Sequence, residues 1–432
     1  MTRAMKNSGV EWIGEIPQEW GTWKLKHVAS IQTGNTPTKT NVDNYSEVGL
    51  LWVKPDNLKE LKPIEETNEY ISNEGKQLAR IANAYSTLVC CIGTVGKIGY
   101  SNVPVAFNQQ INAVDFNCDK ILWKYGLYFL SCQKEQHQYY MNGNVVYILN
   151  SENHGRIKIA KPELSEQQAI SDYLDKKCAE IDAVISSKQE QNKLLKEQRQ
   201  SIIYEAVTKG LDKNAPMKDS GVEWIGEIPK AWEKLRTKYL FSVVNGATPK
   251  SGVMEYWEGD IPWITPADYT NDKMYIEEIK RYITEDGLSS CGTTLVPKES
   301  IIVSNRAPIG LVALAPFELC TNQGCKALVK KCDLSEKYYY YYFTVMNDPL
   351  NMLGRGTTFL ELSSNDLNDF FVPVPRLNEQ KSIAEYLDNK CAELDRLIQA
   401  NITTIRELKE YRQSAIYEAV TGKKEFAIRR DI

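Results

Sequence analysis

Three kinds of polar loop recur in pairs along the sequence. Gly34-Asn35-Thr36-Pro37-Thr38-Lys39 pairs with Gly246-Ala247-Thr248-Pro249-Lys250-Ser251. Gly93-Thr94-Val95-Gly96-Lys97 lies opposite Asn305-Arg306-Ala307-Pro308-Ile309-Gly310, and Gly143-Asn144-Val145-Val146-Tyr147 opposite Gly356-Thr357-Thr358-Phe359-Leu360. Asn108-Gln109 matches Asn322-Gln323. Glycine lets backbone N–H groups approach phosphates, and Asn, Gln and Arg can pair bidentately with adenine and guanine edges. The candidate contacts in the first series are Asn35, Thr36, Lys39, Thr94, Lys97, Asn108, Gln109, Gln110, Asn144 and Tyr147. In the second they are Thr248, Lys250, Asn305, Arg306, Asn322, Gln323, Arg355, Thr357 and Thr358. Any one of them alone is better explained by turn chemistry or a surface ion pair; the weight lies in the set.

Catalytic chemistry has no comparable support. Gly93–Lys97 is too short for a phosphate loop, which needs GxxxxGK followed by Ser or Thr. Pro55-Asp56 with Glu60 and Lys62 resembles a nuclease pattern only at spacings that chance supplies easily. Asn347-Asp348-Pro349-Leu350 lacks the second proline and the aromatic of an amino-methyltransferase signature, and no glycine-rich cofactor loop stands out. His27, His137 and His154 have no evident Ser or Cys partner. Cys90-Cys91 and Cys320, Cys325 and Cys332 lack the CxxC pairs of a zinc site, so neither a catalytic set nor a metal is expected.

The elements that must position the loops come in two copies. Residues 5–17 (MKNSGVEWIGEIP) recur at 217–229 with twelve of thirteen positions identical, and 199–208 (RQSIIYEAVT) recur at 412–421 with nine of ten identical. Between these anchors the likeness fades but stays in register: Thr36-Pro37 with Thr248-Pro249, Trp52 and Pro55 with Trp263 and Pro266. One duplication of about 212 residues is too long a period for a solenoid. It allows a pseudo-two-fold arrangement suited to two half-sites or two copies of one partner.

Residues 165–208 and their repeat carry a heptad. One seam position takes Leu174, Ile181, Lys188, Leu195 and Ile202, the other Cys178, Ile185, Asn192 and Arg199. The second copy takes Leu387, Leu394, Asn401, Leu408 and Ala415, with Cys391, Ile398, Ile405 and Arg412. Polar seam residues cost stability but can fix register and an antiparallel orientation. Pro162 and Pro375 bar helix upstream, Ser165 with Gln168 fits a capping box, Asn378 fits an N-cap, and Gly210 and Gly422 fit stops. Each helix of about 44 residues spans about 66 Å, roughly two turns of duplex DNA. The plain alternative is a helical hairpin that only spaces domains. The Trp12/Trp224 and Trp20/Trp232 pairs read as packing anchors at the helix bases.

The spacing predicts mixed α/β blocks between the helices. Strands are expected at Ser86–Ile92, Ile111–Phe116, Ser300–Val303 and Ala327–Val329, and helices at Tyr125–Gln133 and Lys337–Val345. The division is residues 1–163, a helix at 164–210, residues 211–376, a second helix at 377–422 and a basic tail at 423–432. The fold class is α+β: two mixed α/β recognition domains separated by two long antiparallel coiled-coil helices, as a pseudo-two-fold tandem repeat. With 42% hydrophobic and 25% charged residues the 432-residue chain can build cores, and no apolar run is long enough to span a membrane. No apolar signal core follows Met1, and ten cysteines read as reduced thiols. The net charge of −4 requires any nucleic-acid surface to be a local basic groove or to be completed by partners. The two helical segments carry −2 each, and the second variable block carries −3.

The doubled SGVEWIGEIP, the doubled YEAVT and the P-x-L-x-EQ-x-x-I starts at Pro162–Ile170 and Pro375–Ile383 together resemble the specificity subunits of type I restriction–modification systems, over nearly the full length. The resemblance implies a non-catalytic DNA-recognition subunit. Each recognition domain would read one half of an asymmetric bipartite site in double-stranded DNA, and the helices would set the spacer. Two methyltransferase subunits giving adenine-N6 methylation would dock on the helical region, and two motor–nuclease restriction subunits would join them. S-adenosylmethionine, ATP and Mg2+ would belong to those partners. The setting would be the cytoplasm of a bacterium or archaeon, with no membrane involved. The alternatives are a coiled-coil scaffold without DNA readout and a self-contained methyltransferase or nuclease.

Overall fold

The computed structural model describes residues 3–143, 147–270, 272–355 and 360–426. Four helices organise it: α1 (Trp123–Ser131), α2 (Leu164–Lys209), α3 (Glu336–Thr344) and α4 (Leu377–Val420). The chain forms two compact units, residues 1–188 with 402–432, and residues 189–401. Each unit therefore takes one part of α2 and one part of α4.

In the first unit an antiparallel sheet runs in the order Ile98–Gly99, Thr87–Cys90, Ile111–Phe116, Ala29–Thr33. A second, five-stranded sheet contains Leu50–Val53 paired in parallel with Val105–Phe107. Apolar residues of both sheets, among them Val53, Leu88, Phe107 and Ile111, pack into one cluster. The other face of the four-stranded sheet contributes Val89 and Val114 to the main core. Alternation along each strand sends successive side chains to opposite faces, which lets one sheet serve two cores. The main core adds Tyr125 and Phe129 of α1, Ile170 and Leu174 of α2, and Ile416, Ala419 and Val420 of α4.

The second unit repeats this plan. Its four-stranded sheet runs Val312–Leu314, Ile301–Ser304, Cys325–Lys330, Phe241–Asn245, and Trp257–Ile264 pairs in parallel with Cys320–Thr321. Its core gathers Tyr338–Phe343 of α3, Ile383, Leu387 and Cys391 of α4, and Ile203, Ala206 and Val207 of α2. The expected strands and helices are all present, Ile111–Phe116 with the expected ends and the others with ends shifted by one or two residues.

The helix starts differ from expectation. Helix begins at Leu164 and Leu377, so Ser165 and Asn378 lie inside the first turn and do not cap it. A buried glutamine two residues after each, Gln167 and Gln380, instead ties the helix start to its surroundings. The Gln167 amide donates to the Pro162 and Lys120 carbonyls at 2.9 Å and accepts from Leu122 N–H at 2.8 Å. Gln380 donates to the Pro375 carbonyl at 2.9 Å and accepts from Ser335 N–H at 2.9 Å. Each glutamine thus ties the start of a long helix to the residue that precedes α1 or α3, satisfying buried backbone groups of the connecting segments. The stops hold: Gly210 and Gly422 have φ of +74° and +73°.

The seam is used within each unit. In the first, Leu174, Cys178, Ile181 and Ile185 are buried; in the second, Leu387, Cys391, Leu394, Ile398 and Asn401 are. Leu195, Ile202, Ile405 and Leu408 are half-buried. Asn401 donates to Asn192 Oδ1 at 2.9 Å, and Arg199 lies 3.4 Å from Asp395. Partner numbers fall as α2 numbers rise, so the helices run antiparallel there. In the first unit Arg412 donates to Asp182 at 2.6 Å and to Glu60 at 2.7 Å. Asn192, Asn401, Arg199 and Arg412 of the seam are thus answered by partners across the pair.

Trp20 and Trp232 are fully buried, as expected of anchors. Trp12 packs on Tyr139 with ring centroids 4.9 Å apart, and Trp224 stacks on Phe370 at 5.0 Å.

Candidate nucleic-acid interface

A loop crosses over a turn in the same way in each unit. In the first, Gly34 N–H donates to the Ile111 carbonyl and Asn35 N–H to the Phe107 carbonyl, both at 3.0 Å. A Cβ on Gly34 would overlap the backbone of Phe107 and Asn108, so the crossing needs glycine. Asn108 is buried, and its side chain accepts from Gln110 N–H at 3.1 Å. That local turn leaves Gln109 exposed. The Thr36 hydroxyl donates to Gln109 Oε1.

In the second unit Ala247 N–H donates to the Thr321 carbonyl at 3.0 Å. A Cβ on Gly246 would overlap the backbone of Thr321 and Asn322. Asn322 Oδ1 accepts from Gly324 N–H at 2.9 Å, Gln323 is exposed, and the Thr248 hydroxyl donates to Gln323 Oε1.

The segments that start the second pair of loops, and those that follow the third, flank these turns. Cys91 N–H donates to the Gln110 carbonyl at 2.7 Å, and Leu149 N–H to the Cys91 carbonyl at 2.9 Å. Correspondingly, Asn305 N–H donates to the Gly324 carbonyl at 2.9 Å, and Leu362 N–H to the Asn305 carbonyl at 2.8 Å. Each unit therefore gathers its polar loops along one edge, although they come from segments over a hundred residues apart in sequence.

Within each edge the candidates divide by where their polar atoms go. Asn35 donates to the Leu78 carbonyl at 2.8 Å and accepts from Arg80 N–H at 2.7 Å. Lys97 Nζ donates to the Pro55 carbonyl at 2.7 Å, and Asn108 donates to Gln110 Oε1 at 3.0 Å. Asn305 is buried and donates to Glu361 at 3.1 Å. These side chains build the edge. Thr94 is exposed, 3.7 Å from the Cys90 thiol. Lys39 is exposed, 3.7 Å from Glu69 and over the Trp52 ring. Tyr147 and Lys250 are exposed. Arg306 meets Glu361 through two nitrogens at 3.1 Å, and Arg355 meets Asp366 at 2.8 Å; both arginines remain largely open to solvent. Surface pairs of this kind are worth little, so a phosphate or base edge can compete for the guanidinium. Asn144, Thr357 and Thr358 lie outside the described residues.

Some contributors escaped sequence reasoning. Lys326, two residues after Gly324, is buried and donates to Asn245 Oδ1 at 2.8 Å and Ser364 Oγ at 3.0 Å. Burial lowers its pKa, partly opposed by Glu361. Glu69 is pulled below the usual carboxylate range by its hydrogen bond from Lys54. Glu361 and Asp366, the latter in the short helix Ser364–Asp369, pair with the two arginines without any local sequence signal of the pairing. Of the nuclease-like pattern, Pro55 receives Lys97 and Glu60 binds Arg412. Among the described residues no cluster of His, Cys, Asp and Glu is placed to hold a metal. Among them, too, no helix is long and apolar enough to cross a membrane.

Comparison with known proteins agrees with this doubled plan. The family model described as the type I restriction modification DNA specificity domain matches twice, at residues 17–196 and 229–407. The MjaX specificity subunit of Methanocaldococcus jannaschii, a putative type I restriction enzyme subunit, is 25% identical, with 95% of each chain aligned. The MjaIX specificity subunit of the same organism is 40% identical over 166 residues, 38% of each chain. The Escherichia coli EcoR124I/EcoR124II specificity subunit is 30% identical over 41% of this chain and 43% of its own length. In fold, a chain from a study of complex assembly and conformational transition of the type I R-M system superposes with a TM-score of 0.72. It is 18% identical and covers 95% of this chain and 99% of its own. The HsdS subunit from Thermoanaerobacter tengcongensis gives a TM-score of 0.50 at 18% identity, covering 95% of this chain and 98% of its own. With both copies of the domain model matched over most of the sequence, the chain belongs to the type I restriction–modification specificity subunit family.

Proposed function

We infer that this chain is the non-catalytic DNA-recognition and assembly subunit of a type I restriction–modification complex. The observation that carries this reading is the doubled edge: one scaffold built twice, carrying loops that diverge between the copies. Each edge reads one half of a bipartite site, and because the loops differ, the halves differ. α2 and α4, with 46 and 44 residues, act as the ruler that sets the unread spacer. Two methyltransferase subunits dock on the helical blocks and supply adenine-N6 methylation; restriction subunits join through them. S-adenosylmethionine, ATP and Mg2+ are used by those partners, and the complex works on cytoplasmic DNA.

The test is co-expression with the methyltransferase subunit in a methylation-free host, followed by genome-wide mapping of N6-methyladenine. A bipartite motif with a fixed gap, absent without this chain, is expected. Inserting one heptad into both long helices should lengthen the gap and leave both half-sites unchanged. A stable complex that writes no motif would favour a scaffold without readout. Methylation or cleavage by the purified chain alone would favour a self-contained enzyme.

A further inference from the structure

We propose that Gln109 and Gln323 are equivalent readers of an A·T pair, one in each half-site, at corresponding positions and distinct from the methylated adenine. The proposal rests on the DNA-recognition reading above and names what one part of each edge recognises.

The two units differ along their flanking loops but share one pair of exposed side chains. The flanking loops diverge: Gly93–Lys97 in one unit stands where Asn305–Gly310 stands in the other. The Thr–Gln pair does not diverge. Both glutamines are exposed, and each accepts from a threonine on the crossing loop. A side chain kept in two otherwise different readers, and not spent on the scaffold, points to something the two targets have in common.

The pair is not needed to hold the loop. Backbone bonds from Gly34, Asn35 and Ala247, each at 3.0 Å, already fix it. A solvent-exposed neutral hydrogen bond adds only about 1 kcal/mol or less to stability. What the threonine does is orient the amide. It takes one lone pair of Oε1 and leaves the second lone pair and both N–H groups of the glutamine free. One acceptor beside one donor, on a planar group, matches the N6–H and N7 of adenine in the major groove.

The turn beneath is rigid. Asn108 N–H donates to the Val53 carbonyl at 3.1 Å, and Asn322 N–H to the Ile264 carbonyl at 2.9 Å. The glutamine is thus presented from a held turn between two strands, Val105–Phe107 and Ile111–Phe116 in the first unit and Cys320–Thr321 and Cys325–Lys330 in the second. A base to be modified must leave the stack, so a reader of the groove addresses a neighbouring pair that stays in it.

The experiment is methylome mapping of the complete complex carrying Gln109→Ala, Gln323→Ala or Gln323→Glu. Wild type should show an A·T requirement in both halves beyond the methylated adenine. Gln109→Ala should relax it in the first half only and Gln323→Ala in the second only, lowering discrimination at that position by about 10- to 100-fold. Gln323→Glu should shift the preference toward cytosine, whose N4–H donates to a carboxylate. Thr248→Val should give a weaker version of Gln323→Ala. Uniformly reduced methylation with unchanged half-sites would mean a backbone contact and overturn the proposal. So would variants with wild-type motifs, or a wild-type motif lacking the second A·T pair in either half. Absence of any wild-type motif would instead sink the DNA-recognition reading itself.

Discussion

The Trp20 indole N–H donates to Glu166 at 2.9 Å, and the repeat reproduces the bond between Trp232 and Glu379 at 2.9 Å. In the first unit Arg3 also binds Glu166. The carboxylate is almost fully buried, with a side-chain exposure of 4%. Removing it strands the buried indole N–H and leaves Arg3 with only its exposed partner Glu19. Glu166→Ala should therefore destabilise the first unit by about 2–4 kcal/mol. Glu19→Ala, which removes a largely exposed partner of the same arginine, should cost under about 1 kcal/mol. Denaturant titration of the three chains measures both, and equal losses would contradict this account of the anchor.

Acid should weaken the first unit selectively. His137 and His154 are fully buried, their rings 5.3 Å apart. His137 Nδ1–H donates to the Gln133 carbonyl at 2.8 Å, and His154 lies 3.3 Å from the Asn112 amide. Burial pushes His137 down to about 4 and His154 well below its ordinary value. Both are neutral in the fold, and in the unfolded chain both take up protons near pH 6.5. Between those values the unfolded state binds more protons, so stability rises with pH and is lost as pH falls from about 6.5 toward 4. From pH 7 to 5 the expected loss is about 2 kcal/mol for His137, with a further loss in the same direction from His154. The third histidine is His27, so the second unit has no counterpart. Unfolding followed at pH 7 and 5 should show this difference, and His137→Gln should reduce it. A pH response shared equally by both units would rule the histidines out as its source.

The crossing glycines give a test that separates the two edges. Gly34→Ala forces the 34–39 loop off the Asn108 turn and displaces Thr36 from Gln109. It should abolish selectivity for the first half-site and leave the second half-site as it was. Gly246→Ala should do the reverse. Gly252→Ala, where a Cβ meets nothing within 4 Å, should leave both half-sites unaltered. Methylation mapping of the co-expressed complexes reads all three. Loss of both half-sites from either substitution would mean that the edges are not independent.

Much of this protein is written in local sequence. The doubled SGVEWIGEIP and YEAVT blocks, the heptad from Leu174 to Ile202, and the glycine stops at 210 and 422 depend on spacing alone. Helical period, turn chemistry and duplication are properties of neighbouring residues, so they survive without a fold. The paired loops were legible for the same reason, since Gly34 and Gly246 sit at the same place in each repeat.

What only the tertiary structure decided depends on contacts between distant residues. The IYEAVT segment of α4 closes the core of the first unit through Ile416, Ala419 and Val420, while Ile203, Ala206 and Val207 of α2 close the second. No local pattern says which core an apolar helix end will fill, because burial is set by whichever surface has matching volume and no water. The same holds at the edges. Asn108 and Gln109 are adjacent and equally polar, yet one is turned inward as the turn-former and the other held outward by Thr36, more than seventy residues away. The sequence determined that polar groups would gather in paired loops; the packing of sheet and turn decided which of those groups remain free to meet a base.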